Sequence, residues 1–171
     1  AHAAGYSVLV SQSNERWEEE KNIVKTMLAK KIDGLAISLA SETTDYKHFD
    51  AVISRGVPVV FFDRVPLDKR SSCVRIDNRT AAYNAVMHLI KQGCTRIVHL
   101  SGPQAISVYK DRQDGYVQAL MDSDIRVDSS LIFENSITLA TGEEAGKKIL
   151  AMPVLPDAIF SAGDYSAMGV M

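Results

Sequence analysis

Short apolar runs rich in β-branched residues alternate along the chain with longer stretches in which apolar positions recur every three to four residues. The first pattern predicts strands and the second amphipathic helices; their alternation argues for βαβ units closing a parallel sheet. Strands are expected near 6–11 (YSVLVS), 34–39 (GLAISL), 57–62 (VPVVFF), 72–76 (SCVRI), 95–101 (TRIVHLS), 130–134 (SLIFE) and 157–161 (DAIFS). Helices are expected near 14–31, 44–55, 79–92, 109–122, 139–151 and from 164 to the end.

The first helix shows the local logic. Ser13 or Asn14 can cap it, Glu15, Glu18, Glu19 and Glu20 complement the dipole in its first turns, and Lys30-Lys31 close it. Ile23, Val24, Met27 and Leu28 form its inward stripe, and Trp17 reads as a packing residue. Ala1 to Gly5 reads as a last helical turn with Gly5 in the left-handed position, so a strand and most of a helix are expected before residue 1. Tyr165 to Met171 stops inside an apolar helical pattern, and the intact protein is expected to be longer.

With 46% hydrophobic and 23% charged residues, the 171-residue chain has an ordinary globular balance. A net charge of −2 without like-charge blocks gives no electrostatic footprint for nucleic acid. Cys73 and Cys94 read as reduced thiols with no metal set around them, and no cofactor or metal is expected. No apolar run reaches the roughly 18 residues of a membrane span, and the first residues show no leader pattern, although a removed leader would leave no trace.

In open α/β sheets, ligands bind beyond the carboxyl ends of the strands. Asp63-Arg64, Asp77-Asn78, the Gly102-Pro103 loop leading to Asp111-Arg112, and Gly163-Asp164 all follow expected strands. An arginine fork with a carboxylate suits vicinal hydroxyls, carboxylates or purine edges, which is recognition chemistry and needs no nucleophile. Structural readings stand beside each: Asp63 and Asp77 as caps, Asp164 as the N-cap of the last helix, Asn78 as a turn residue and Arg64 as a solvated rim residue. Arg112 has the weakest structural rationale, because a cation near a helix start opposes the dipole.

Three stretches then carry a resemblance: Val57 to Arg64; Asp77-Asn78 through Ala81-Ala82-Tyr83-Asn84-Ala85 to His88-Leu89 and Gly93; and Arg96 to Pro103 with Arg112 and Gly115-Tyr116. Together with Pro156 to Phe160, Asp164, Ala167 and Gly169, they resemble the effector-binding core of the lactose-repressor (LacI/GalR) family along essentially the whole chain. The resemblance implies a periplasmic-binding-protein-like type I fold, with two Rossmann-like lobes of parallel sheet flanked by helices and an effector, a sugar above all, in the cleft between them. Residues 1–80 would form the N-terminal lobe, lacking its first strand, and 81–171 part of the C-terminal lobe. A helix-turn-helix domain would lie upstream, and the protein would be a cytoplasmic homodimer meeting operator DNA only through that domain. Effector binding would shift the populations of two lobe arrangements and so the spacing of the DNA-binding heads.

By the same resemblance, Arg112 matches the arginine that contacts effector, and Asp63-Arg64 a pair that contacts sugar in related sugar-binding proteins. Asp77-Asn78 match the lobe crossover, where a hinge role is as open as ligand contact. Asp164 matches the aspartate of an Asn-Asp pair whose Asn is Gly163 here. Ile137 stands where an aromatic is common before the helix near Thr138, and Cys94 where a Gly-His pair has its His. Two other classes share some features. A solute-binding protein for transport would have the same lobes and would be told apart by a signal peptide in place of a helix-turn-helix. An enzyme would need a motif this chain lacks: there is no GxSxG, P-loop, GxGxxG after a strand, or HExxH, and His88 and His99 read as a helix and a strand residue.

Overall fold

β4 (Ile97–Leu100) is buried at every position, because helices cover the sheet on both of its faces. It is the central strand of the second unit's sheet in a computed structural model that describes residues 2–66 and 72–171 and divides into two units, Ala1–Arg75 and Ile76–Met171. Each unit is a small α/β lobe with its own three-stranded parallel sheet, the fold class expected from the sequence.

In the second lobe the strand order is β5 (Ile132–Phe133), β4, β6 (Ala158–Ser161). Side chains of β4 alternate between two cores. Ile97 joins Val86 of α3 (Asn78–Lys91) and Tyr116, Ala119 and Leu120 of α4 (Ser107–Asp122), while Val98 and Leu100 join Ala145 and Ile149 of α5 (Leu139–Leu150) on the other face. Helices α3 and α4 touch backbone to backbone at Gly115, where a methyl group would overlap the Arg79 carbonyl oxygen and lie 2.9 Å from the Ala82 Cβ. A comparable approach joins α5 to α6 (Asp164–Val170) at Gly169, where a methyl would overlap the Leu139 carbonyl oxygen.

In the first lobe the order is β1 (Leu35–Ile37), β2 (Val59–Phe62), β3 (Ser72–Val74). Val59 and Phe61 point into a core with Val24 of α1 (Trp17–Ala29), Val52 of α2 (Asp50–Ile53), and Leu39, Phe49 and Val65. Period-2 alternation puts Phe62 on the opposite, exposed side, with Val74 of β3 also exposed.

Three expectations are corrected. Residues 6–11 form no strand: Tyr6, Val8, Leu9 and Val10 are exposed and no ladder pairs them, and β-propensity without a partner ladder does not make a strand. Neither Ser13 nor Asn14 caps α1; Arg16 is the N-cap residue, and the Trp17 N–H donates instead to the Glu42 carboxylate at 3.2 Å, a cap supplied from a distant loop. Glu20 stands in the first turn of α1, as expected, and is 2% exposed. It accepts from the Ala40 N–H at 2.6 Å and the Thr43 hydroxyl at 2.9 Å, and sits 2.9 Å from the His48 Nε2. The expected 44–55 helix is a single 3-10 turn, Lys47–Phe49, running into the short α2.

Candidate functional site

Parallel strands β4 and β6 end side by side, and the chain leaves β6 through Ala162-Gly163 into α6. Ser161 and Ser166 shape that exit: both hydroxyls donate to the Gly163 carbonyl, at 2.8 and 3.0 Å, and stand 2.8 Å from each other. Gly163 is the N-cap position, so Asp164 opens the helix as its first residue instead of capping it, with its carboxylate exposed. That placement still sets the acid at the positive end of the dipole.

Asp77 and Asn78 start α3. The Asp77 carboxylate caps the helix, accepting from the Thr80 N–H at 3.0 Å and the Thr80 hydroxyl at 2.8 Å. Asn78, one residue later, is 3% exposed and turns its Oδ1 to Arg112, whose Nε–H donates to it at 2.9 Å. Arg112 Nη1 donates to the Ala162 carbonyl. Arg112 lies beyond the first turn of α4, so the dipole objection does not apply, and the structure supplies the anchoring role that the sequence left it without.

These residues line one cleft of about 340 Å³ in the second lobe: Asn78 and Arg112 with Ile76, Ala81 and Ala82 on one part, and Phe160 through Asp164 on the other. Asn78, Arg112 and Asp164 are thus brought together. Asp77 stands beside the cleft as a cap, and Ile137, half-buried in the loop before α5, lies outside its lining. Sequence reasoning missed the β6 wall, because Ser161 and Ala162 contribute through position and backbone, which no motif marks.

His99 sits behind that wall. Its ring stacks between Tyr116 at 5.0 Å and Phe160 at 4.9 Å, and its Nδ1 pairs with the Phe160 carbonyl at 3.1 Å. Burial pushes its pKa down to about 4, so at neutral pH the ring is uncharged with Nδ1 as donor. The Tyr116 hydroxyl donates to the Ile97 carbonyl at 2.8 Å, and burial raises its pKa to about 12. His99 therefore fixes the strand that carries Phe160 to the cleft.

In the first lobe, Asp63 is exposed at φ 56°, its N–H donating to the Val74 carbonyl at 3.1 Å. Arg64 does not stand as a solvated rim group. Its fork grips the Glu15 carboxylate, Nη1 to Oε2 at 2.5 Å and Nη2 to Oε1 at 2.8 Å. The Arg64 hydrogen bond, above all, holds the Glu15 carboxyl below its ordinary pKa.

Cys73 and Cys94 are free thiols, and among the described residues no group of three or more His, Cys, Asp or Glu could hold a metal ion. No helix among them is long and apolar enough to cross a membrane.

A polar cleft at the carboxyl ends of parallel strands is where open α/β domains take their ligands. Residues 1–171 match the family described as periplasmic binding protein domain, and the chain belongs to that family. It is 33% identical over 170 residues to the HTH-type transcriptional repressor CytR of Escherichia coli (strain K12), covering 98% of this chain and 48% of the repressor. It is 31% identical over 167 residues to catabolite control protein A of Priestia megaterium, covering 97% of this chain and 50% of that protein. The chain spans about half the length of the curated relatives it matches. The crystal structure of the transcription regulator CcpA of Lactococcus lactis superposes with a TM-score of 0.87 at 25% identity, over 99% of this chain and 61% of that one. Within the periplasmic-binding-protein family, this is the effector-binding core type found in LacI-type repressors.

Proposed function

We propose that the chain senses a small polar metabolite, a sugar or sugar derivative, for a LacI-type bacterial transcriptional regulator acting in the cytoplasm. The observation that carries this reading is the state of Arg112. Its Nε and Nη1 are anchored to Asn78 and Ala162 while its side chain faces a cleft of about 340 Å³, at the lower end of the roughly 300–1,000 Å³ of small-molecule sites. A guanidinium fixed along one edge presents its remaining donors without loss of rotamer freedom, and the Asp164 carboxylate at the same cleft adds acceptors. Donor fork and carboxylate together suit vicinal hydroxyls.

Asp63 and Arg64 are proposed to add first-lobe contacts, with Asp77-Asn78 at the crossover and Ile137 offering an aliphatic side chain where an aromatic is usual. A ligand drawing groups from both lobes favours one lobe arrangement, and in a homodimer that bias alters how a helix-turn-helix domain meets operator DNA. A thermal-shift screen of the intact protein with monosaccharides, disaccharides, uronic acids and purines tests the reading, since a ligand binding the native state alone raises apparent stability. A sugar is expected to stabilise the wild type and not Arg112→Ala. Equal stabilisation of both, or none by any sugar, would overturn the assignment.

A further inference from the structure

The Arg64 fork is already occupied by a carboxylate of the chain itself. Glu15 Oε2 accepts from Arg64 Nη1 at 2.5 Å and from the Ser41 backbone N–H at 2.8 Å, and Oε1 accepts from Arg64 Nη2 at 2.8 Å. The Glu15 carbonyl is tied to the same loop, accepting from the Glu42 N–H at 3.3 Å and the Ser41 hydroxyl at 3.4 Å. Ser41 follows β1 and Arg64 follows β2, so this carboxylate sits at the carboxyl end of the first lobe's sheet, where ligands of open α/β folds bind.

Holding it there strains the backbone: Asn14 and Glu15 are consecutive non-glycine residues with φ of 51° and 65°. The Glu15 side chain remains 54% exposed, against 20% for Arg64, so solvent reaches the seat from the carboxylate side. A planar fork with an adjacent amide N–H is also the donor set that takes a phosphate or carboxylate oxygen pair.

We propose that Glu15 is a specificity-determining residue: its carboxylate fills an oxyanion seat formed by Arg64 and the Ser41 amide, so that the first lobe accepts neutral, hydroxyl-bearing ligands and rejects phosphorylated or carboxylated ones. The inference rests on the reading of Arg64 as an effector contact and assigns that contact a charge class. An anion reaching the seat must displace Glu15 and meets its negative charge.

The test is an amide NMR titration of the whole chain with inorganic phosphate, read at Ser41, for wild type, Glu15→Gln, Glu15→Ala and Glu15→Ala/Arg64→Ala. Phosphate is expected to bind Glu15→Ala at least tenfold more tightly than wild type, Glu15→Gln in between, and the gain is expected to vanish when Arg64 is also removed. Equal phosphate affinity in wild type and Glu15→Ala, or a gain that survives loss of Arg64, overturns the proposal. If Glu15→Ala does not fold, Glu15→Gln, which keeps an acceptor for the Ser41 amide, decides by the same criterion. No sugar is present in this titration, so its failure is distinct from failure of the Arg112 variants to lose sugar binding.

Discussion

Arg112 and Asn78, 34 positions apart in sequence, are joined side chain to side chain, the Arg112 Nε–H donating to the Asn78 Oδ1 at 2.9 Å. The acceptor is almost fully buried, so Arg112→Ala strands it without a donor. Beyond the loss of ligand binding, this variant is expected to lower the stability of the second lobe by about 1–3 kcal/mol, the cost of a buried unsatisfied polar group. Asn78→Ala removes the acceptor and releases the guanidinium, and it is expected to weaken sugar binding while leaving Arg112 charged. Urea denaturation and calorimetry measure the two effects; unchanged stability in Arg112→Ala would show that the bond does not persist in solution.

His99 predicts a slope in stability with pH. Its folded pKa of about 4 lies below the ordinary value of 6.5, so between these values the unfolded chain holds a proton that the folded chain refuses. Stability therefore falls as pH drops from 6.5 to about 4, by on the order of 3 kcal/mol from this residue, and this contribution levels off below. His99→Gln, which keeps a donor for the Phe160 carbonyl, is expected to flatten the slope in urea midpoints taken across that range. An unchanged slope would assign the titration elsewhere.

Glu20 is the polar anchor of the first lobe, serving Ala40, Thr43 and His48 from α1. Glu20→Ala leaves several buried groups unpaired and is expected to destabilise this lobe by about 3 kcal/mol or more, and Glu20→Gln by less because it keeps an acceptor. Trp17, the single tryptophan of the chain, stands at the start of α1. Its fluorescence reports unfolding of this lobe directly.

Gly115 sets helix propensity against packing. Alanine in a helix interior is ordinarily better than glycine by about 1 kcal/mol. Here the added methyl overlaps the Arg79 carbonyl oxygen and crowds Ala82 and the Tyr83 nitrogen, which lies 2.9 Å from it. All of these belong to a packed helix, so the overlap is expected to win, with Gly115→Ala destabilising by about 1–3 kcal/mol. A stabilised Gly115→Ala in thermal unfolding would mean that α3 and α4 part easily.

Most of the helices were legible because their signals are local. Helix α5 begins at the expected Leu139 behind Thr138, whose hydroxyl accepts from the Thr141 N–H, and α3 starts where Asp77 caps it. The candidate site was legible to the extent that polar residues after strands mark it: Asn78, Arg112 and Asp164 do share a cleft. Their partners were not legible. The Ala162 carbonyl that holds Arg112 belongs to a residue with no polar side chain, and Glu15, which holds Arg64, lies 49 positions away with the look of an ordinary helix-start acid.

The alternation of apolar runs and helical periods determined by itself that this chain makes βαβ units with parallel strands, because strand and helix periodicities are set by backbone geometry within a few residues. Tertiary structure alone decided which charges are spent on the protein and which face the cleft. It seated Glu15 on Arg64, buried Glu20, held His99 neutral between two rings and left residues 6–11 without a ladder. Each of these outcomes depends on a partner far away in sequence, and hydrogen bonding and desolvation act on distance in space, which no local pattern encodes.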